Sequence, residues 1–595
     1  MKEVIDGLVR YLVCHARLFE AREAGFVFDR KAPYGVHTND EYGNIGHVYL
    51  ALYLTKHPAN PYYRRSEALA MFSRAVGAWL RDGRRCLKAG EPLDFDEWPA
   101  FVMCRGLELT GGRLDAALRR DMADMVERFV RQVLPRPFFF TAPNHEMWKL
   151  VDIAVAGRVL GQSEWTRHAE FQTRQLIAYQ TAEGFWEEGR HHGPSMQYGS
   201  HMLAGLALVA EATGSVAIRA SAARQARFLA RWSMPDGVTV GALDGRRCSA
   251  LGAVVPGFEL IPEGLTYMQR CVRSWERGGW LDPARKNAPV YRRPFHGDFI
   301  SAEALLYFAA LKPARSQRRS APLSLDRSGR AAENHTPHFD AATVRRGPWA
   351  VMLSSQLSDV PKDTQFLYRL ERQNRIEIWH ELSSVVIGGG HNLITAPYPL
   401  YNAWVDSGFV QEPKGYSSLG GDAGAPAMAR RRSMYYPRAA SSGCRGRGAW
   451  LELDFAHAAI RFECAPRRDA LTVAYRYRAM GAREIRVALA MMLWETASVR
   501  VNGRELPRTP QPVDIATSGD VVVECPLYGS RNILTVPKQG CSRVLFPLNL
   551  MEEYQAPAEQ ERMRSPFAIA FVETVLTDPG ERGSGEWTVR VEVIP

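Results

Sequence analysis

The chain has 595 residues, which is too long for one hydrophobic core, so two or more domains are expected. Apolar residues make up 46% and charged residues 23%, as in ordinary globular proteins, and no apolar run of about 18 residues predicts a transmembrane helix. The net charge of +11 favours anionic partners, but the bases are interspersed with acids except in 312–330 and 429–447, and no basic helix alternates with exposed aromatics as a nucleic-acid surface would. Neither nucleic acid nor a membrane is therefore an expected partner.

The N-terminal segment has apolar residues at helical spacing, at Val4, Leu8, Leu12 and Leu18, with charges between them. This pattern predicts an amphipathic helix of the folded body and not a signal peptide. Nine cysteines are scattered without a CxxC pair, which indicates reduced thiols and no cysteine zinc site. We therefore expect a cytoplasmic protein, or a periplasmic or secreted one if the natural chain has been trimmed. A homo-oligomer is compatible with the sequence.

From residue 1 to about 310, apolar residues recur every three or four positions and the segments end at Gly or Pro. The helices come in pairs of roughly 40–60 residues, the range of two-helix repeats. Polar and aromatic loops precede apolar helices at 36–47, 94–101, 142–149, 187–201 and 294–299. Helical hairpins wound into a ring would bring these loops to one mouth. We predict an incomplete α/α toroid over 1–312 as the catalytic domain.

Residues 313–342 are rich in Arg, Ser, Ala and Pro and are predicted to be a linker. Beyond them the apolar period changes to two, with Gly- and Pro-containing turns between short segments. This pattern predicts an antiparallel β-sandwich over 343–595.

The loop and helix start at 184–214 crowds together many titratable groups: Glu187, Glu188, Arg190, His191, His192, Tyr198 and His201. A phenol with a pKa near 10 becomes a usable base only beside positive charge, which the arginine, the imidazoles and the helix N-terminus would supply. The alternative is that Tyr198 is a half-buried packing residue and that the glutamates are solvated.

A second polar helix start is "TAPNHEMWK", at 141–149. One interpretation is that Asn144 is simply the N-cap of the helix. The functional interpretation is that Asn144 and His145, at the positive end of the helix, clamp a uronate carboxylate, with Trp148 and Lys149 one turn further along.

"APNHEMWK", followed 54 positions later by Tyr198 in "EEGRHHGPSMQYGSHMLAGL", resembles the heparinase II/III and alginate lyase superfamily of polysaccharide lyases. The resemblance implies an α/α toroid followed by an antiparallel β-sandwich, and cleavage of a uronic-acid-containing glycan by β-elimination. It implies that Asn144 and His145 neutralise the carboxylate and acidify the C5 proton. Tyr198 would remove that proton, His192 would be the partner acid or base, and the product would be an unsaturated uronic acid.

The expected partner is an acidic poly- or oligosaccharide, and no cofactor is expected. The expected substrate contacts are Arg190, His191, His201, Trp148, Glu97, Trp98, His391 and Tyr401. In the β half, His391 is a candidate for the cleft and Tyr401 for stacking on sugars. His380 and His391 lack a clear third ligand, so a structural zinc or calcium ion is only an alternative.

Two further functions stay open. A glycoside hydrolase on the same toroid would use paired carboxylates, with candidates at Asp40, Glu41, Asp96, Glu97, Glu187 and Glu188. A non-catalytic carbohydrate-binding protein would bind saccharide without Asn144, His145 or Tyr198.

Overall fold

The structure is a computed structural model. It describes every residue outside 22–36, 91–92, 94–97, 137–142, 188–192, 239, 244–251, 280, 282–297, 312–319, 358–374, 389–402, 407–436, 456, 483, 494–497, 508–512, 516–518, 527, 537–541, 546–568 and 577–582. Side chains are described for all of the described residues except 18–21, 37–44, 98–99, 298, 403–406, 545 and 569. The described residues form helices first and antiparallel strands afterwards, which confirms the predicted fold class.

The helices of the described residues are α1 Lys2–Ala21, α2 His37–Leu54, α3 Ser66–Ala89, α4 Trp98–Thr110, α5 Ala116–Val133, α6 Pro143–Val159, α7 Ser163–Ile177, α8 Met196–Thr213, α9 Val216–Arg231, α10 Pro262–Arg277 and α11 Asp298–Ala310. The amphipathic helix predicted at the N-terminus is α1, and its Val4, Leu8 and Leu12 are fully buried. None of these helices is both long and apolar enough to cross a bilayer.

The strands of the described residues are β1 Ala331–Thr336, β2 Phe339–Arg346, β3 Trp349–Ser354, β4 Ile376–His380, β5 Ser384–Ile387, β6 Ala403–Asp406, β7 Ala439–Arg445, β8 Gly448–Phe455, β9 Ala458–Pro466, β10 Leu471–Ala479, β11 Glu484–Met492, β12 Ser498–Val501, β13 Arg504–Glu505, β14 Val513–Ile515, β15 Asp520–Cys525, β16 Ser530–Thr535, β17 Ser542–Leu545, β18 Ile569–Val575 and β19 Gly583–Ile594.

Contacts divide the chain into two compact units. The helical unit contains Met1–Trp186, Tyr198–Ala230 and Ala253–Pro322, and the β unit contains Glu187–Gln197, Arg231–Gly252 and Leu323–Pro595. Two short segments of the helical half of the sequence therefore belong to the β unit.

The helical unit has an inner and an outer layer. α2, α4, α6, α8 and α11 are apolar on most sides, whereas α3, α5, α7, α9 and α10 are amphipathic, as expected for helices with one solvent face. α2 packs on both α11 and α4, α4 packs on α6, and α2, α4 and α6 each also pack on the outer helix that follows. A single outer helix separates α2 from α4 and α4 from α6, and helices joined by short connections are antiparallel, so α2, α4 and α6 run in the same direction.

A charge network with a buried centre joins the inner helices. The Glu303 carboxylate on α11 accepts hydrogen bonds from Arg105 Nη2 on α4, at 2.6 Å, and lies 3.1 Å from His47 Nε2 on α2. Arg105 also donates to Glu108, at 2.5 Å, and Glu108 accepts a 3.0 Å bond from Arg158 at the end of α6. Burial alone would raise the pKa of Glu303, but Arg105 and His47 hold it below its ordinary value.

The β unit consists of two antiparallel sheets that pack face to face as a sandwich. The first has the strand order β1-β2-β3-β4-β5-β11-β18-β17-β14, with β6 also pairing with β11, and the second has the order β13-β12-β15-β16-β19-β10-β9-β8-β7. β2 and β3 of the first sheet pack on β7 and β8 of the second. Buried and half-exposed residues alternate along β8 and β9, as in sheets with one covered face.

The segment Arg231–Leu243 packs on the first sheet within the β unit. The Trp232 ring lies edge-on to Phe339, with ring centroids 4.7 Å apart, and Asp236 accepts a 2.6 Å hydrogen bond from the Ser384 hydroxyl. The backbone N–H of Ala242 donates to the buried Glu377 carboxylate at 2.9 Å. These contacts explain why this segment belongs to the β unit.

Strand β1 and the start of β2 lie inside 313–342, the range predicted as a linker. β1 is the edge strand of its sheet and pairs only with β2, and its residues alternate between exposed and half-exposed. An edge strand without a buried face has no apolar alternation to detect, which is why the sequence pattern did not indicate it. The domain boundaries at 312 and 342 stay a prediction.

We predict that Glu303→Gln lowers the free energy of unfolding of the helical unit by about 3 kcal/mol, because Arg105 stays buried with its charge uncompensated. Urea denaturation followed by helical circular dichroism measures this change. The matched control is Glu127→Gln, which breaks the exposed pair with Arg131 on α5 and should change the free energy by less than about 0.5 kcal/mol. Equal effects of the two variants would contradict the role of the buried network.

The pH dependence of stability follows from the lowered pKa of Glu303. A carboxyl group whose pKa is lower in the folded state stabilises that state above its unfolded pKa, and this contribution is lost as the pH falls through the folded pKa. We therefore expect the stability difference between wild type and Glu303→Gln to be full above the ordinary value of 4.5 and to shrink on further acidification. Thermal unfolding of both proteins across that range measures it, and a constant difference would refute the assignment.

Candidate active site at the helix starts

Helix α6 begins at Pro143, whose ring suits the first helical position, and Asn144 follows inside the first turn. Asn144 is only 2% exposed, and its Oδ1 has no hydrogen-bond partner among the described residues. An N-cap side chain accepts a backbone N–H of the first turn, so the interpretation of Asn144 as a simple N-cap is not supported. A buried acceptor without a partner costs about 1–3 kcal/mol, which a hydrogen-bond donor on a bound ligand, such as a sugar hydroxyl, would relieve.

The neighbours of Asn144 along α6 have different surroundings. His145 is exposed at the start of the helix. Glu146 is buried and accepts a hydrogen bond from Lys149 Nζ at 3.1 Å, which neutralises its charge locally. Trp148, expected as a substrate contact, is fully buried between the Phe101 and Phe299 rings. Its ring offers no surface to a ligand, so Trp148 is a core residue that holds α6 in place.

Helix α8 begins at Met196 and carries Tyr198 and His201 one turn apart. The two rings are edge-on, with centroids 5.8 Å apart and planes at 72°. His201 is buried, whereas Tyr198 is only partly buried, so the phenol is not enclosed in hydrocarbon.

Helices α6 and α8 approach closely where α8 has a glycine. A Cβ added at Gly205 would lie 2.5 Å from Cγ of Met147, so the small residue permits this contact. Asn144 and Tyr198 both precede the contact on their helices, by three and seven residues. At a rise of about 1.5 Å per residue, Asn144 lies about 4.5 Å and Tyr198 about 10.5 Å from this contact along its own helix. Each residue therefore lies in the first turn of its helix, before the contact between the two helices.

The segment before α8, Glu187–Gln197, belongs to the β unit. Glu187 forms an isolated antiparallel bridge with Pro194, and its carboxylate lies 3.4 Å from Nδ1 of His338. The candidates between them, Arg190, His191 and His192, lie outside the described residues, as do Glu97, His391, Tyr401 and the side chain of Trp98. The structure therefore does not test the roles expected for these residues.

His380, which the sequence analysis paired with His391 as a possible metal ligand, is a packing residue. It is buried against the Trp349 ring at 4.4 Å between centroids, and its Nδ1 accepts the backbone N–H of Leu382 at 3.2 Å. Within the described part of the chain, no group of three His, Cys, Asp or Glu could hold a metal ion. His380 is thus used by the core and is not oriented as a ligand.

Sequence reasoning did not single out the His47–Arg105–Glu303 network. The sequence feature that could have indicated the network is Glu303, the only acidic residue within the apolar stretch "FISAEALLYFAA" of α11. A lone acid in a helix that is buried on most sides requires a cationic partner.

Comparisons with known proteins bear on the fold. No family model matches the chain, and no curated protein matches it. The chain is similar to chondroitin AC lyase of Streptomyces coelicolor A3, a structure with bound chondroitin sulphate, at 11% identity and a TM-score of 0.46, over 98% of this chain and 82% of that one. It is similar to heparinase III at 8% identity and a TM-score of 0.48, over 89% and 75%.

Unsaturated glucuronyl hydrolase from Bacillus sp. GL1 is also similar, at 15% identity and a TM-score of 0.35, over 52% of this chain and 96% of that one. The resemblance to heparinases expected from the sequence is confirmed only as a likeness of fold. At such low identities and TM-scores, the residues of the site must carry any assignment of function.

We predict that Gly205→Val lowers the free energy of unfolding by about 2 kcal/mol, because the added side chain collides with Met147 and pushes α8 away from α6. The control is Gly112→Val, since nothing lies within 4 Å of a Cβ at Gly112. Chemical denaturation of both variants tests the close approach of the two site helices. An unchanged stability of Gly205→Val would contradict it.

Proposed function

We propose that the protein is a polysaccharide lyase that cleaves a uronic-acid-containing glycan by β-elimination. The observation that carries the proposal is the buried side-chain amide of Asn144 in the first turn of α6, whose Oδ1 acceptor has no partner among the described residues, together with the half-exposed phenol of Tyr198 in the first turn of α8. The side-chain amide supplies N–H donors, and the positive end of α6 favours an anion. This combination suits a carboxylate.

The reaction needs a carboxylate whose charge is neutralised, because this stabilises the carbanion character that develops at C5. In the proposal, Asn144 and His145 bind the uronate carboxylate. The Tyr198 oxygen, as phenolate, takes the C5 proton, and the C–H electron pair forms the C4–C5 double bond. The C4–O4 bond breaks, and the departing O4 receives a proton from Tyr198 or from His192. If Tyr198 gives the proton to O4, the phenolate is restored directly; if His192 gives it, Tyr198 loses its proton to solvent and His192 regains one from solvent.

The remaining expected contacts belong to the same proposal. Arg190 and His191 would lower the cost of the phenolate, and His201 supports the Tyr198 ring. Glu97, Trp98, His391 and Tyr401 are proposed substrate contacts. An acidic poly- or oligosaccharide is the proposed partner.

The paired-carboxylate alternative is not favoured by the described residues. Of its candidates, only Glu187 has a described side chain, and that carboxylate faces His338 and not a second acid. Hydrolysis is therefore an outcome of the test below and not a second proposal.

We predict that Tyr198→Phe lowers turnover by about 10²–10⁴-fold, the usual contribution of a general base. Alginate, heparan, chondroitin, hyaluronan and rhamnose-glucuronate polymers are screened for the ultraviolet absorbance of the conjugated product, and the variants are then assayed on the best substrate. Asn144→Ala should lose about 10²–10³-fold, because one stabilising donor is removed. The control is Tyr179→Phe, an exposed tyrosine of the same unit, which should keep full activity.

Three results would overturn the proposal. Full activity of Tyr198→Phe would remove the proposed base. New reducing ends without ultraviolet absorbance would indicate a hydrolase. Saccharide binding that survives the combined loss of Asn144, His145 and Tyr198, without turnover of any polymer by the wild type, would indicate a binding protein.

A further inference from the structure

A pocket of about 490 Å³ opens in the helical unit where α4 and α6 end. Its lining consists of aliphatic and charged residues: Leu107, Ala123, Val159, Leu160, Glu108, Arg119, Arg120 and Arg158. The pocket is far from the candidate active site, since Arg158 follows Asn144 by 14 residues on α6, or about 21 Å along the helix.

The charges of the pocket do not balance. Three arginines and one glutamate line it, which leaves a net charge of 3 − 1 = +2. The Glu108 carboxylate is already engaged by Arg105, at 2.5 Å, and by Arg158, at 3.0 Å. It therefore has little capacity to neutralise Arg119 and Arg120. A pocket with excess guanidinium groups attracts an anion.

The guanidinium of Arg158 is held by one hydrogen bond and has a further N–H donor without a partner among the described residues. One Nη of its guanidinium is bound to Glu108, while its Nε is buried and has no hydrogen-bond partner among the described residues. Arg119 is fixed by a hydrogen bond to the carbonyl of Gly111 at the entry to α5. Guanidinium groups bind carboxylate, sulfate and phosphate through two parallel N–H donors, and positions fixed in advance reduce the entropy cost of binding.

We propose that this pocket binds a small organic anion that carries a carboxylate, sulfate or phosphate group. Arg158 and Arg120 hold the oxyanion. The aliphatic side chains of Leu107, Ala123 and Val159 contact the apolar part of the ligand. The proposal goes beyond the lyase activity and does not depend on it, because the pocket shares no residue with the candidate active site.

Isothermal titration calorimetry of the full chain with glucuronate, inorganic sulfate and inorganic phosphate, each as a separate probe, tests the proposal. We expect saturable binding of at least one probe, and an increase of about tenfold or more in its dissociation constant in Arg158→Gln and in Arg120→Gln. Binding of glucuronate alone assigns a carboxylate ligand, and binding of sulfate or phosphate assigns a tetrahedral oxyanion.

Two matched variants distinguish anion binding in this pocket from anion binding elsewhere on the protein. Arg131→Gln removes another exposed charge from α5, outside the pocket, and should leave binding unchanged. Asn144→Ala should leave the binding of sulfate and phosphate unchanged, whereas glucuronate, which the candidate active site is proposed to bind, is judged by its response to the arginine variants. Since Arg120 is exposed, Arg120→Gln should unfold at the wild-type temperature, so its loss of binding cannot be attributed to misfolding.

Absence of saturable binding for all three probes would overturn the proposal. So would wild-type affinity in both arginine variants, or loss of sulfate or phosphate binding in Asn144→Ala, which would place these anions at the helix starts. None of these outcomes would affect the test of lyase activity with Tyr198→Phe.

Discussion

The buried carboxylate of Glu303 constrains the helical unit more than any single apolar contact. An ion in an apolar interior costs several kcal/mol unless its partners meet it in good geometry, and its partners here come from two other helices. A slip of one turn of α11, about 5.4 Å, would leave the charge unpaired. The ion pair with Arg105 and the contact with His47 therefore specify one register of α2, α4 and α11, on which the apolar packing can then be built.

The inner helices each have two chemically different edges, one where they begin and one where they end. At the edge where they begin, backbone N–H groups and helix dipoles favour anions, and there the side chains are an amide, an imidazole and a phenol. At the edge where they end, the dipoles are negative and arginines such as Arg158 compensate them. Any anion bound at the second edge must be held by side-chain charge, whereas the first edge can also use the backbone.

Much of this organisation was predictable from sequence because periodicity reports burial. The spacing of Val4, Leu8 and Leu12 predicted α1, and the change of period from about 3.6 to two predicted the change from helices to strands. The same reasoning fails for α6, which is buried on most sides, so the sequence could not show that Trp148 points into the core. It also could not assign the segment around Trp232 and Asp236 to the β unit, because their partners Phe339 and Ser384 are more than 100 residues away.

At the candidate site, the two helix starts were predictable from Pro143–Asn144 and Tyr198. The close approach of the two helices was not, because it depends on the small residue Gly205.

The membership of Glu187–Gln197 and Arg231–Gly252 in the β unit has a consequence for biosynthesis. The ribosome makes both segments well before strands β2, β4 and β5, which supply the contacts to Trp232, Ala242 and Asp236. These two segments therefore lack their contacts in the β unit until the C-terminal half of the chain has been translated. A protein truncated after the helical half would lack these contacts permanently, and Trp232 and Asp236 would stay exposed to water.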